Sequence, residues 1–186
     1  MEIEVERTEI QDVCFVHPQV FRDDRGFFME VFRADVWKEA GLDLDIVQAN
    51  HSRSCKGVVR GLHFQWEPPM GKLMRVTRGK AFLVAVDIRK NSPTLGKWIG
   101  RTLDGDEPQF FYAPAGCARG FAVVSDFAEI QYLTTGTYNG GAESGILWND
   151  PEIGIEWPVK DPILSEKDAN QQSLSQWLAT EECKLF

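Results

Sequence analysis

The chain has 186 residues, 43% of them hydrophobic and 26% charged, as in an ordinary soluble domain able to bury a core of its own. Its net charge of -8 argues against a nucleic-acid partner, because phosphate backbones are gripped by basic faces. A small anion can still be held by a local cluster of Arg and Lys.

No apolar run is long enough to span a bilayer, and the stretch Met1 to Arg7 is charged, without the apolar segment of a signal peptide. The four cysteines, Cys14, Cys55, Cys117 and Cys183, lie far apart and form no C-x-x-C pair. A cytoplasmic protein with free thiols is expected, with Cys117 buried and no membrane partner.

In chain order, Val13-Cys14-Phe15-Val16 predicts a strand ending at His17-Pro18, and Gly26 to Phe32 predicts another after the polar turn Arg22 to Arg25. Asp35 to Ala40, closed by Gly41, predicts a short helix with a glycine cap. If the segment Val59 to Gln65 is extended, His63 and Gln65 share one face and Leu62 and Phe64 the other. Ala81 to Ile88 is almost continuously apolar and predicts a buried strand. Further strands are predicted at Gln109 to Tyr112, Phe121 to Val124 and Glu129 to Thr135. Leu174, Trp177 and Leu178 stand at helical spacing and predict a C-terminal helix over Ser173 to Glu182. Short strands at regular spacing, with helices only near the ends, argue for an all-β sandwich or jelly roll. We expect one domain over 1–186, with N-terminal edge strands and a C-terminal helical segment.

The polar residues that interrupt the apolar runs are the candidates for chemistry. Arg60, His63 and Gln65 supply a fixed cation, a group titrating near neutral pH and an amide. Arg25 and Glu30 flank a Phe pair, Gln48 and Asn50 precede the His63 segment, and Lys72 follows Pro68-Pro69-Met70-Gly71. Arg119, Tyr132, Glu143, Lys167 and Asp168 complete the set. Each has a plainer reading: Arg25 as a turn charge, Tyr132 as a strand aromatic, Lys167 as a helix-start charge, Ser165 with Asp168 as a capping box. Composition and spacing alone reach a β-sandwich with a candidate anion pocket. A metal site is disfavoured. Gln65 stands where a His-x-His pair would need its second histidine, and the chain holds only His17, His51 and His63.

Taken in order, the motifs narrow this further. They are Phe21-Arg22-Asp23-Asp24-Arg25-Gly26-Phe27-Phe28-Met29-Glu30, Gln48-Ala49-Asn50-His51-Ser52, Val59 to Gln65, Gly71-Lys72-Leu73 and Val86 to Thr94. Pro114-Ala115-Gly116, Gly145 to Pro151, Ile155 to Pro158 and Leu164 to Asp168 follow. From about Val13 to Leu174 the chain resembles the dTDP-4-dehydrorhamnose 3,5-epimerases, cupin-like jelly-roll enzymes with short peripheral helices.

The resemblance implies a dTDP-4-keto-6-deoxyhexose substrate whose C3 and C5 protons are acidified by the C4 ketone. It implies His63 as base, Tyr132 as acid on the opposite ring face, Asp168 as the partner of His63, and Lys72 at the developing oxyanion. It assigns substrate binding to Arg25, Glu30, Gln48, Asn50, Arg60, Arg119, Tyr138, Glu143 and Lys167. It implies no cofactor and no metal, and a homodimer.

One position departs from the pattern: the family usually has histidine where this chain has Arg119. Arginine stays charged and cannot act as a base, though it can clamp a phosphate or a ketone oxygen. The alternatives are a single-centre epimerase, a binding module without turnover, and a ketoisomerase on a related fold.

Overall fold

A computed structural model describes residues 2–186. Eleven strands and three short helices are formed by these residues: β1 (Ile3–Arg7), β2 (Cys14–Pro18), β3 (Phe21–Asp23), β4 (Gly26–Phe28), α1 (Ala34–Glu39), β5 (Gln48–Cys55), β6 (Val59–Gln65), β7 (Lys72–Asp87), β8 (Trp98–Asp104), β9 (Phe110–Ala113), β10 (Cys117–Thr134), β11 (Glu143–Gly145), α2 (Glu166–Ala169) and α3 (Leu174–Leu178).

All the strand pairings are antiparallel, and two strands are long enough to serve both layers of a sandwich. The first half of β7 pairs with β9 and the second half of β10 pairs with β5, which extends one layer as β1-β2-β9-β7-β10-β5. The second half of β7 pairs with β8 and the first half of β10 with β6, giving the other layer, β8-β7-β10-β6-β11. The long strands change layers at a register shift between Val123 and Ala128, beside Gly79. Gly79 has φ +72°, and a Cβ there would fall onto the Phe127 carbonyl oxygen, so only glycine fits the corner.

Three apolar clusters follow from strand alternation. Leu83 and Ala85 face the interior between the layers, with Phe15, Phe111, Phe121 and Ile130. Val84 and Val86 face the other way, onto Leu62, Phe64, Leu174 and Trp177 of the covering C-terminal segment. The Ala81 to Ile88 run is apolar except for Asp87 because both of its faces are buried. Trp37 of α1 covers the outer face of β2 and β9 with Val16 and Phe110.

Several boundaries differ from expectation. The runs Phe121 to Val124 and Glu129 to Thr135 belong to one bulged strand, β10. The strand expected over Gly26 to Phe32 stops at Phe28, in an exposed two-stranded hairpin with β3. The C-terminal helix is only Leu174–Leu178, started by a capping box of Ser173 and Gln176 and followed by a separate 3-10 turn at Glu182–Leu185. α1 ends one residue earlier than expected, at Glu39; Ala40 caps it and Gly41, φ +84°, follows.

Candidate active site

Strand β6 brings His63 to the interior. Its neighbours Leu62 and Phe64 face the Trp177 cluster, so alternation points the imidazole between the layers. The backbone at this point is closely packed. Gly61 has φ +135°, and a Cβ there would lie 2.6 Å from the Cα of Gly120, so the glycine pair lets β6 approach β10. In that ladder His63 is opposite Arg119. The other layer supplies Tyr132, paired with Asn50 of β5 and Met74 of β7, and Lys72, paired with Thr134. The histidine and the tyrosine therefore come from opposite layers of the sandwich.

The space between them has two lobes that share His63, Lys72 and Tyr132. The basic lobe, about 140 Å³, adds Arg60, Arg119, Ser52 and the apolar residues Met74, Phe121 and Ile130. The amide lobe, about 270 Å³, adds Gln48, Asn50, Met70, Thr134, Tyr138 and Glu143.

His63 Nε2 lies 2.5 Å from Asp168 Oδ1. Asp168 is buried at the start of α2, where the Ser165 hydroxyl accepts from its backbone N–H at 3.1 Å. Ser165 thus caps the helix as expected, while the Asp168 carboxylate turns to the imidazole. Burial alone would raise the Asp168 carboxyl, but the His63 hydrogen bond and charge, the Ser165 hydroxyl and nearby Lys167 hold it below the usual range. An ionised carboxylate can only accept, so Nε2 donates and the lone pair rests on Nδ1.

Lys72 places its Nζ 5.2 Å from the centre of the Tyr132 ring. Loss of water around the ammonium, with the positive charge of Arg119, brings its pKa down to about 8 despite Glu143. Burial raises the Tyr132 phenol, opposed by Arg60.

Around the amide lobe the side chains hold one another. Gln48 Nε2 donates to Asn50 Oδ1 at 3.1 Å, and Gln48 Oε1 accepts from the Tyr138 backbone N–H at 2.9 Å. Glu143 accepts from Lys167 Nζ at 2.6 Å and from the Tyr138 hydroxyl at 3.3 Å. Arg60 Nε donates to Ser54.

Arg119 is buried, and its Nη atoms donate to the backbone carbonyls of His63, Met70 and Pro114. Gln65 is also buried, but its amide binds the Pro68 and Thr137 carbonyls and the Asn139 N–H. It pins loops and does not line either lobe.

Two of the expected site residues are not brought here. Arg25 sits on the exposed hairpin, paired to Asp23, beside a separate surface hollow formed with Phe21, Phe27 and Phe28. Glu30 follows the same hairpin and pairs with Arg33 at 3.3 Å. In the opposite sense, Ser52 lines the basic lobe without having been foreseen. The signal was present as an alternating polar stripe on β5, Gln48, Asn50, Ser52 and Ser54.

The family model described as dTDP-4-dehydrorhamnose 3,5-epimerase matches residues 7–176. A dTDP-4-dehydrorhamnose 3,5-epimerase of Shigella flexneri is 53% identical over 89% of this chain and 93% of its own. A dTDP-4-dehydrorhamnose 3-epimerase of Streptomyces niveus is 40% identical over 90% of this chain and 82% of its own. Among solved structures, a dTDP-6-deoxy-D-glucose-3,5-epimerase of Legionella pneumophila, in complex with dTDP-4-keto-L-rhamnose, superposes with a TM-score of 0.92. It is 40% identical and covers 98% of this chain and 97% of that one. With a matching model over most of its length and a relative above half identity, this chain belongs to the dTDP-4-dehydrorhamnose 3,5-epimerase family.

Proposed function

We propose that the chain converts dTDP-4-keto-6-deoxy-D-glucose to dTDP-4-keto-L-rhamnose by inverting C3 and C5. The observation that carries this is the His63–Asp168 pair on one layer facing Tyr132 on the other across a cavity that holds Lys72. The C4 ketone acidifies the protons on C3 and C5. His63 Nδ1 takes one proton, the C–H electron pair moves into the ring, and negative charge collects on O4, where Lys72 meets it. Tyr132 returns a proton from the other face, which inverts the carbon. Solvent then takes the proton from the His63 imidazolium and reprotonates the Tyr132 phenolate, and repetition at the second carbon completes the reaction. The C4 ketone itself acidifies both carbons, so the chemistry draws on no cofactor. Asp168 holds the tautomer and stabilises the imidazolium. Arg60, Gln48, Asn50, Tyr138, Glu143 and Lys167 orient the nucleotide and its diphosphate.

The same proposal includes a homodimer. Phe21, Phe27 and Phe28 are 49%, 52% and 64% exposed, an apolar surface on the hairpin that carries Arg25. Arg25 and Glu30 bind nucleotide if this hairpin reaches the cavity of a second copy. Mixing His63→Asn with Arg25→Ala chains should then regenerate sites holding both native residues, and activity above that of either variant alone. All four cysteines are unpaired thiols, which supports a cytoplasmic setting. Among the described residues no helix is long and apolar enough to cross a membrane.

The test is solvent exchange: incubation with dTDP-4-keto-6-deoxyglucose in D2O, followed by NMR and mass. Deuterium at C3 and C5 with the L-sugar formed supports double epimerisation. The Streptomyces niveus relative, a 3-epimerase by name, motivates a second reading, in which deuterium enters at one carbon only. No exchange would overturn both.

A further inference from the structure

Arg119 presents an unusual arrangement. Its side chain is 3% exposed, and no carboxylate among the described residues pairs with it. A buried cation without a counter-charge is costly, so it persists where the charge or its hydrogen bonds serve something else. Its Nη1 donates to the His63 carbonyl at 3.3 Å, and Nη2 donates to Pro114 at 3.2 Å and to Met70. These carbonyls belong to the proposed base, to the turn before β10, and to the residue two places before Lys72. The remaining nitrogen, Nε, is buried without a protein partner. A histidine here would offer at most two donors and no permanent charge.

The lining of the basic lobe carries Arg60, Lys72 and Arg119 and no carboxylate. The charged and titratable groups around Lys72 are Arg119 and Tyr132 from β10, Glu143 from β11, Lys167 from α2, His63 and Arg60 from β6, and Tyr138.

We propose that Arg119 is a positioning residue that acts on the reaction without touching the sugar. Its guanidinium ties the backbone of His63 to the segment that delivers Lys72, and its fixed charge keeps the basic lobe positive for the enolate oxygen. This rests on the role given to Lys72 above. Arginine in place of an imidazole thus trades a titrating group for a permanent field, and couples the charge of Lys72 to that field.

The experiment compares Arg119→Gln and Arg119→Lys in the full chain by two readouts. One is steady-state kinetics on dTDP-4-keto-6-deoxyglucose. The other is pH-dependent acetylation of Lys72 read by mass spectrometry, which requires no turnover. Arg119→Gln should lower kcat about tenfold or more with KM within about threefold, since the lost stabilisation belongs to the charged intermediate. Its Lys72 labelling midpoint should rise above about 8, with burial still holding it below that of an ordinary lysine. Arg119→Lys, which keeps the charge, should hold the midpoint near that of the parent and recover part of kcat. A KM raised about tenfold at unchanged kcat would make Arg119 a substrate ligand and overturn the proposal. So would an unmoved midpoint in Arg119→Gln or, should that variant not fold, a midpoint in Arg119→Lys risen clearly above the parental value. Should Lys72→Met keep parental turnover, the role of Lys72 at the oxyanion fails, while the labelling midpoints still decide whether Arg119 sets its charge.

Discussion

The two lobes of the cavity share three residues and differ in almost everything else. The basic lobe is walled by core residues such as Phe121 and Ile130, and its charged side chains are cations. The amide lobe is lined by Gln48, Asn50, Tyr138 and Glu143, which are half-buried or exposed and already hydrogen-bonded to one another. Charge is strongest where water is excluded, so the basic lobe suits a developing anion. Neutral amides and a rim carboxylate suit recognition of a nucleotide, which carries many polar edges and does not change during the reaction. His63, Lys72 and Tyr132 stand where the two meet, as they must if the ketone enters from one side and the nucleotide remains on the other.

Four changes would sharpen or break that contrast. The largest effect is expected from His63→Asn, which should cut turnover by about 10²–10⁴-fold and leave nucleotide-sugar affinity within about tenfold. Single-turnover rates with calorimetric binding would check it, and near-parental turnover would remove His63 as the base.

Tyr132→Phe should abolish inversion while leaving proton exchange from the starting face, because His63 can still return the proton it took. If NMR shows that exchange stops as well, Tyr132 is not simply the acid.

Smaller, and in pH rather than size, is the effect of Lys72. Its folded value of about 8 means that kcat should fall as pH rises through about 8 and the ammonium is lost. Stability runs the other way. The unfolded lysine binds its proton up to about 10.5, so between these values the unfolded chain holds more protons and unfolding free energy from this group rises with pH. A kcat limb and a denaturation series with the same sign would contradict the assignment.

The smallest effect belongs to the amide lobe. Tyr138→Phe or Gln48→Ala should raise KM several-fold with kcat nearly unchanged, as loss of uniform binding does. A kcat loss equal to that of Lys72→Met would erase the distinction between the lobes.

The site was readable to different depths in different places. Alternation at Leu62-His63-Phe64 places the imidazole opposite two core residues, and the interior face is where it lies. The Ser165 and Asp168 spacing announces a helix start, and the helix starts there. That the same carboxylate meets His63, 105 residues away, has no local signal. Strands β5 and β8 were not expected, since each mixes polar residues with few apolar ones, and β5 has only Ser54 buried. Arg25 shows the converse. A matching motif names it as a ligand, while the chain holds it on an exposed hairpin away from both lobes.

By itself the sequence determined the all-β class, the buried Ala81 to Ile88 strand and the ordered motifs that carry the family resemblance. These depend on short-range alternation, turn chemistry and residue identity, which are local properties. Tertiary structure decided that β7 and β10 run through both layers, that Asp168 reaches His63, and that the Arg119 donors are taken by three carbonyls. Those outcomes depend on which backbones meet across the sandwich. That is settled by packing and by satisfying buried polar groups, neither of which is written in neighbouring residues.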